Sequence, residues 1–304
     1  MRVTDLMTSQ NVLANIETDL NQVTTTTDQL SSGVTISQPS DNPYGATLAL
    51  QLTGEMSSLG QYSTNVQDGT SWTDAANTTL SQINDIVGRV RELVVEAANG
   101  SESQTDRDSA ASEVNELIDE VKQEANTQYD GNYIFSGTAT QTAPYSAGSN
   151  DTYNGNSGTI SRQIAPNTTV PVNVNLSSLL GNGQSSGDGL LLDTLRTVSA
   201  DLTGGTTANL NQLQTTDLQS IDTNLSSLQQ MQAQVGATSD RLTLAASRIT
   251  AMTTNDQSSL ANDEDVDFAT ASTQFATEQA SYQAALKAGA SIVQSSLLDF
   301  LSTA

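Results

Sequence analysis

Apolar residues recur three and four positions apart at both ends of the chain, and the middle loses that rhythm. Near the start, Leu13, Ile16, Leu20, Val23 and Leu30 trace one helical face, with Thr27 as the polar intruder. Alternating steps of three and four average about 3.5 residues, the period of a seam between two packed helices. Near the far end the same spacing runs through Leu218, Ile221, Leu225, Leu228, Val235, Leu242, Ala246 and Ile249, interrupted at Gln232 and Ser239. A seam needs a partner helix, so the two ends are expected to pair.

Between them the pattern predicts further elements. Pro39 and Pro43 frame a loop, because proline clashes with the preceding turn of a helix and removes a donor. A second long seam then runs from Leu52 through Leu59, Tyr62, Val66, Ala76, Leu80, Ile83, Val87, Val90 and Val94 to Ala97, with a break expected near Gly69. Asn99-Gly100-Ser101 stops it, and Ala110, Val114, Leu117, Ile118, Val121 and Ala125 mark a third helix over Asp106 to Gln128. From Tyr129 onward aromatics, threonines, glycines and prolines replace the heptads. Tyr133-Ile134-Phe135-Ser136-Gly137-Thr138 and Val170-Pro171-Val172-Asn173-Val174 read as short strands, with Asn154-Gly155 as a hairpin turn. Leu190 to Leu202 reads as a short helix, and a last amphipathic helix carries Phe268, Phe275, Tyr282, Leu286, Val293, Leu297 and Phe300.

The fold class expected is mainly α: an elongated, discontinuous helical bundle or coiled-coil rod, its N- and C-terminal helices paired, with a small β-rich module inserted. The divisions are 1–44 and 263–304 for the terminal helices, 45–130 and 190–262 for the rod, and 131–189 for the module. If that module is an outward decoration, a short linker should replace it.

Composition narrows the chemistry. Only 36% of the 304 residues are hydrophobic, and these lie in stripes. Ten Lys and Arg against 34 Asp and Glu give a net charge of -24, which repels nucleic acid and anionic membranes. Without cysteine or histidine the chain can build no disulfide, no Ser-His or Cys-His nucleophile and no common zinc site. The acidic run Asp263, Glu264, Asp265, Asp267 has Phe268 where a calcium loop needs glycine, and reads better as a helix start. Glu116, Asp119 and Glu120 read as a solvated helix face, and the module offers acid/base work only Asp151, Arg162 and Asp188. No enzyme, cofactor or metal site is expected. The opening residues lack the apolar core of a cleavable signal, and no stretch is long enough to span a bilayer.

Leu30-Ser31-Ser32-Gly33, Ile36 and Pro39-Ser40-Asp41-Asn42-Pro43 resemble the N-terminal signature of the bacterial flagellin family. The run from Gly88 to Gly100 is similar to its long-helix motif, and Tyr282-Gln283-Ala284-Ala285-Leu286 with Ser295 to Leu301 to its C-terminal signature. Within that family Gly131-Asn132-Tyr133-Ile134-Phe135-Ser136-Gly137-Thr138, the opening Met1-Arg2-Val3-Thr4 and Val235-Gly236-Ala237 resemble the members that join hook to filament. Val34-Thr35 departs from the basic residues expected there.

The resemblance implies a structural adaptor at the hook-filament junction, exported by the flagellar type III system without a cleaved signal peptide and located in the extracellular flagellum. The main filament subunit is the alternative, and a secreted non-enzymatic interaction protein the other class. Implied partners are copies of itself in a ring, the first junction protein, flagellin and an export chaperone, with no nucleic acid and no membrane insertion. The contact-bearing positions expected are Leu13, Ile16, Leu20, Val23, Phe275, Tyr282, Leu286, Val293, Phe300 and Leu301. The terminal helices are expected to be disordered in the free chain and to fold when neighbours bury their stripes.

Overall fold

The computed structural model describes the backbone of residues 2–100, 102–184 and 186–302, and the side chains of 7–100, 102–184 and 186–291. In chain order, α1 (Arg2–Ser32), α2 (Pro43–Ala97) and α3 (Gln104–Ala125) lead to β1 (Gln128–Tyr129), β2 (Asn132–Tyr133), β3 (Ser161–Ala165) and β4 (Thr168–Pro171). After these come α4 (Ser177–Leu180), α5 (Leu191–Gly204), α6 (Thr207–Gln212), a π-helical turn (Leu213–Asp217), α7 (Leu218–Glu264) and α8 (Phe268–Ser302). Two compact units result, Met1–Ser58 with Ala251–Ala304, and Leu59–Thr250.

In the first unit α1 and α8 pack along each other, so the terminal helices are paired as expected. The partner of α1 is α8 rather than the 218–249 seam of α7, most of which belongs to the second unit. Both terminal helices are formed within the single chain, where the sequence suggested disorder. Asn42 caps α2 by accepting from Gly45 N at 3.0 Å, and Pro43 takes the first helical position, where a missing N–H costs nothing.

The second unit holds the dense core. Leu80, Ile83, Val87, Val90 and Val94 of α2 are fully buried, as are Val114, Ile118 and Val121 of α3. Helix α3 starts at Ser103, whose hydroxyl accepts from Asp106 N while the Asp106 carboxylate accepts from Ser103 N, a reciprocal capping box. Helix α2 runs unbroken through Gly69, against expectation. A Cβ there would lie 3.1 Å from Val172 and 3.3 Å from Leu242, so the glycine serves close packing rather than a kink. On α7 the buried line is Ile221, Asn224, Leu228, Val235, Leu242 and Ile249, while Ala246 faces outward.

The β structure is two separate hairpins, β1-β2 and β3-β4, both antiparallel. The first turns at Asp130 and Gly131, both with positive φ (49° and 72°), as a two-residue primed turn demands. Asn154-Gly155 is no hairpin turn; Asn154 N donates instead to Pro144 O at 2.9 Å. Nor is the module a detachable decoration. Ile134, Phe135, Tyr145, Val170, Val172, Leu176, Leu179 and Leu180 are buried. Tyr129 packs edge-on against Trp72 of α2 at 6.0 Å, and Arg162 pairs with Asp68 of α2 at 2.5 Å. Asn126, the C-cap of α3, exchanges two hydrogen bonds with the Tyr145 backbone at 2.8 and 2.9 Å.

Candidate assembly interface

A glycine of α8 faces α1 at short range. A Cβ at Gly289 would stand 3.1 Å from both Val12 and Ile16, so any larger residue would press on those two side chains. Further along, the buried Thr26 hydroxyl donates to the Glu278 carboxylate at 2.5 Å. The chain leaving α1 meets the chain entering α8 in an antiparallel bridge, Val34 opposite Asp265. There Thr35 N donates to Glu264 O at 2.6 Å and Val266 N to Gly33 O at 3.0 Å. Gly33 holds φ at +78°, the left-handed value that ends a helix.

The acidic run before α8 has a structural task. Asp267 accepts from Ala269 N at 3.0 Å, Thr270 N at 3.3 Å and the Thr270 hydroxyl at 2.9 Å. The Thr270 hydroxyl bond, then these backbone amides, holds its carboxyl below the ordinary range, as befits a helix N-cap.

The apolar stripe of α1 is divided between two directions. Val12, Ile16, Val23 and Thr26 form the side turned to α8, stepping by three, four or seven residues. Leu13 and Leu20, which the seam spacing grouped with them, are 58% and 44% exposed. On α8, Phe275 and Tyr282 are half-buried and Leu286 is 43% exposed. The side chains of Val293, Phe300 and Leu301 lie outside the described residues. The pair therefore presents leucines outward that neither helix covers, a surface suited to burial against another chain. Sequence reasoning passed over Met7 and the Phe268 ring as contact candidates, although both are 58% exposed. It also passed over Tyr44 and Leu50 on α2, at 79% and 73%. The run Leu48-Ala49-Leu50 carried the signal, since three consecutive apolar residues cannot all face one side of a helix.

Two buried polar clusters lie in the second unit. Lys122 of α3 is 2% exposed and donates to Asp151 Oδ1 at 3.0 Å, to Asn150 O at 3.0 Å and to Gly148 O. Arg196 of α5 donates through Nε to Asp151 Oδ2 at 3.0 Å and through Nη2 to Oδ1 at 3.2 Å. Burial pushes the Asp151 carboxyl up, but the bonds from Arg196 and Lys122 outweigh it and hold it low. The ion cluster fastens the loop of the module to α3 and α5. In the second cluster Asp217 of the π turn faces Asp201 of α5, which also accepts from Asn209 at 2.6 Å. Burial and then the Asp201 charge push Asp217 up to about 6. Neither arrangement places a nucleophile, or a base beside an open substrate position.

Among the described residues no helix is long and apolar enough to cross a membrane. Residues 3–140 match the bacterial flagellin N-terminal helical region, and residues 218–301 the bacterial flagellin C-terminal helical region. A flagellin of Clostridium tyrobutyricum is 33% identical over 119 residues, 39% of this chain and 32% of that protein. The chain thus matches only about a third of the length of such curated relatives. A Vibrio parahaemolyticus structure assigned as a flagellar hook-associated protein superposes with a TM-score of 0.66 at 22% identity, covering 74% of this chain and 100% of that one. The flagellar junction protein FlgL of Legionella pneumophila does so at 0.59 and 16%, covering 71% and 99%. At these identities the likeness is one of fold.

Proposed function

Because the chain belongs to the bacterial flagellin family, whose members are structural proteins rather than enzymes, we propose that it is the adaptor between hook and filament, a hook-associated protein 3. The observation that carries this reading is one of fold. Hook-associated and junction structures superpose on the chain with TM-scores of 0.66 and 0.59 and are covered to 100% and 99% of their length. An adaptor works by presenting surfaces to two neighbours. The outward Leu13, Leu20 and Leu286 of the paired terminal helices supply one such surface, with Val293, Phe300 and Leu301 as further contact residues, while Ile16 and Val23 seat α1 against α8 and Phe275 and Tyr282 are half-buried on α8. Its partners are copies of itself in a ring, the first junction protein on the hook side, flagellin on the filament side and an export chaperone before assembly. It leaves the cell through the flagellar type III channel and resides in the extracellular flagellum. A chain free of cysteine suits passage in an unfolded state, since no disulfide can lock it.

The second reading is the filament subunit itself, favoured by the 33% identity to a flagellin. Quantitative mass spectrometry of sheared flagella separates the two. A junction protein is a trace component whose deletion leaves hooks without filaments and flagellin in the medium. A filament subunit is the bulk component.

A further inference from the structure

We propose that a second copy of this chain docks on the outward stripe Arg241, Leu244 and Arg248 of α7 through the acidic face Glu116, Asp119 and Glu120 of its α3. The inference rests on the self-assembling role proposed above and names one contact within it.

The helix buries Val235, Leu242 and Ile249. At about 100° per residue, Arg241, Leu244 and Arg248 fall within an arc of about 60° on the opposite side. All three are exposed, Leu244 by 70%. Cations are scarce in this molecule, 10 against 34 acids. Arg89, Arg91, Lys122, Arg162 and Arg196 are held in ion pairs within the chain. Arg241 and Arg248 make none among the described residues, and from 227 to 252 the helix carries a single acid, Asp240. An exposed leucine between two unpaired arginines, on a chain of charge -24, is the surface that an acidic partner fits best.

The chain itself provides such a partner. Helix α3 bears Asp106, Asp108, Glu113, Glu116, Asp119, Glu120 and Glu124, while its own cations Arg107 and Lys122 are buried. Glu113 is engaged by Arg89 at 2.9 Å, which leaves Glu116, Asp119 and Glu120 exposed and without an ion pair, beside the half-buried Leu117. Glu116 and Glu120 sit one helical turn apart, a spacing that Arg241 and Arg248 can straddle with their long stems. Within one chain these arginines do not reach those acids. Patch and counterpatch are different surfaces, so the contact is heterologous and propagates into a ring or helix rather than closing as a dimer.

The absence of native cysteine makes a direct test clean. Full-length Leu244→Cys and Glu116→Cys variants, mixed, allowed to assemble and oxidised, should yield disulfide-linked pairs of one variant with the other. Neither variant alone should cross-link. In sedimentation velocity, Arg241→Glu with Arg248→Glu should raise the concentration needed for self-association by about tenfold, as should Glu116→Lys with Glu120→Lys, and all four changes together should restore it. All four positions are exposed, so circular dichroism should match that of the parent chain. Cross-linking of Leu244→Cys to itself, or reversal variants that associate at the parent concentration, would overturn this contact and leave the proposed function standing. A parent chain that never self-associates would overturn both.

Discussion

The buried carboxyl of Asp217 makes the molecule sensitive to acid in an unusual direction. Most aspartates in folded proteins lose stability to protonation, but Asp217 is raised to about 6 by burial and by Asp201, with one oxygen of each lacking a partner. A folded-state value above the unfolded one means that folding takes up a proton. Its stabilisation is complete below the ordinary aspartate range and is lost as pH rises through about 6. Asp217→Asn should therefore raise the thermal midpoint at pH 7, by on the order of 2 kcal/mol of stability, and flatten the decline between about pH 4 and 7. Scanning calorimetry of both proteins across that range checks it. Lys122 should behave oppositely, because Lys122→Ala leaves Asp151 buried with Arg196 as its remaining cation. Removing one partner of a buried pair costs about 3–5 kcal/mol, so the urea midpoint should fall sharply. A surface arginine such as Arg89, half exposed in its pairs with Glu92 and Glu113, should cost little when replaced.

Among the elements, α1 and α8 carry apolar side chains that the single chain leaves uncovered. An ionised carboxylate placed in a buried interface costs several kcal/mol, whereas an unfolded chain in an export channel has no interface to disturb. Leu20→Asp and Phe300→Asp should accordingly block filament attachment while sparing secretion. Immunoblots of the culture medium should find the variant protein together with shed flagellin, and motility in soft agar should be lost. Normal swimming would remove these positions from the interface. The α6 and π-turn segment shows what periodicity misses. Thr207 to Asp217 has only Ala208, Leu210 and Leu213 as apolar residues, yet it is held by the buried Leu213 and by the Gln214 bond to Ala98 O at 2.7 Å. Helix α2 makes the same point through Gly69, which sequence reading took for a break and which packing uses as a slot.

For the whole molecule, division into two units predicts how it tolerates surgery. Removing everything from Phe268 onward takes α8 from the first unit and leaves the core residues of the second intact. The main thermal transition, followed by circular dichroism, should shift by only a few degrees while attachment of filaments fails. Excising 131–189 is a different matter, because Phe135, Tyr145, Val170, Leu179 and Leu180 are buried within that segment and Asp151 neutralises Lys122. A Gly/Ser replacement should lower the midpoint strongly, despite the small entropy of closing the loop. The amino-acid sequence alone determined the long helices, the acidic run that starts the last of them, that the termini pair, and the absence of disulfide chemistry. Those properties follow from local spacing and residue type. Only the tertiary structure decided that α1 takes α8 rather than the 218–249 seam as its partner, that Asp130-Gly131 rather than Asn154-Gly155 turns a hairpin, that Leu13 and Leu20 face outward, and that Lys122 is an interior ion. Each of these depends on which distant face a residue meets, and a periodic stripe says only that it must meet one.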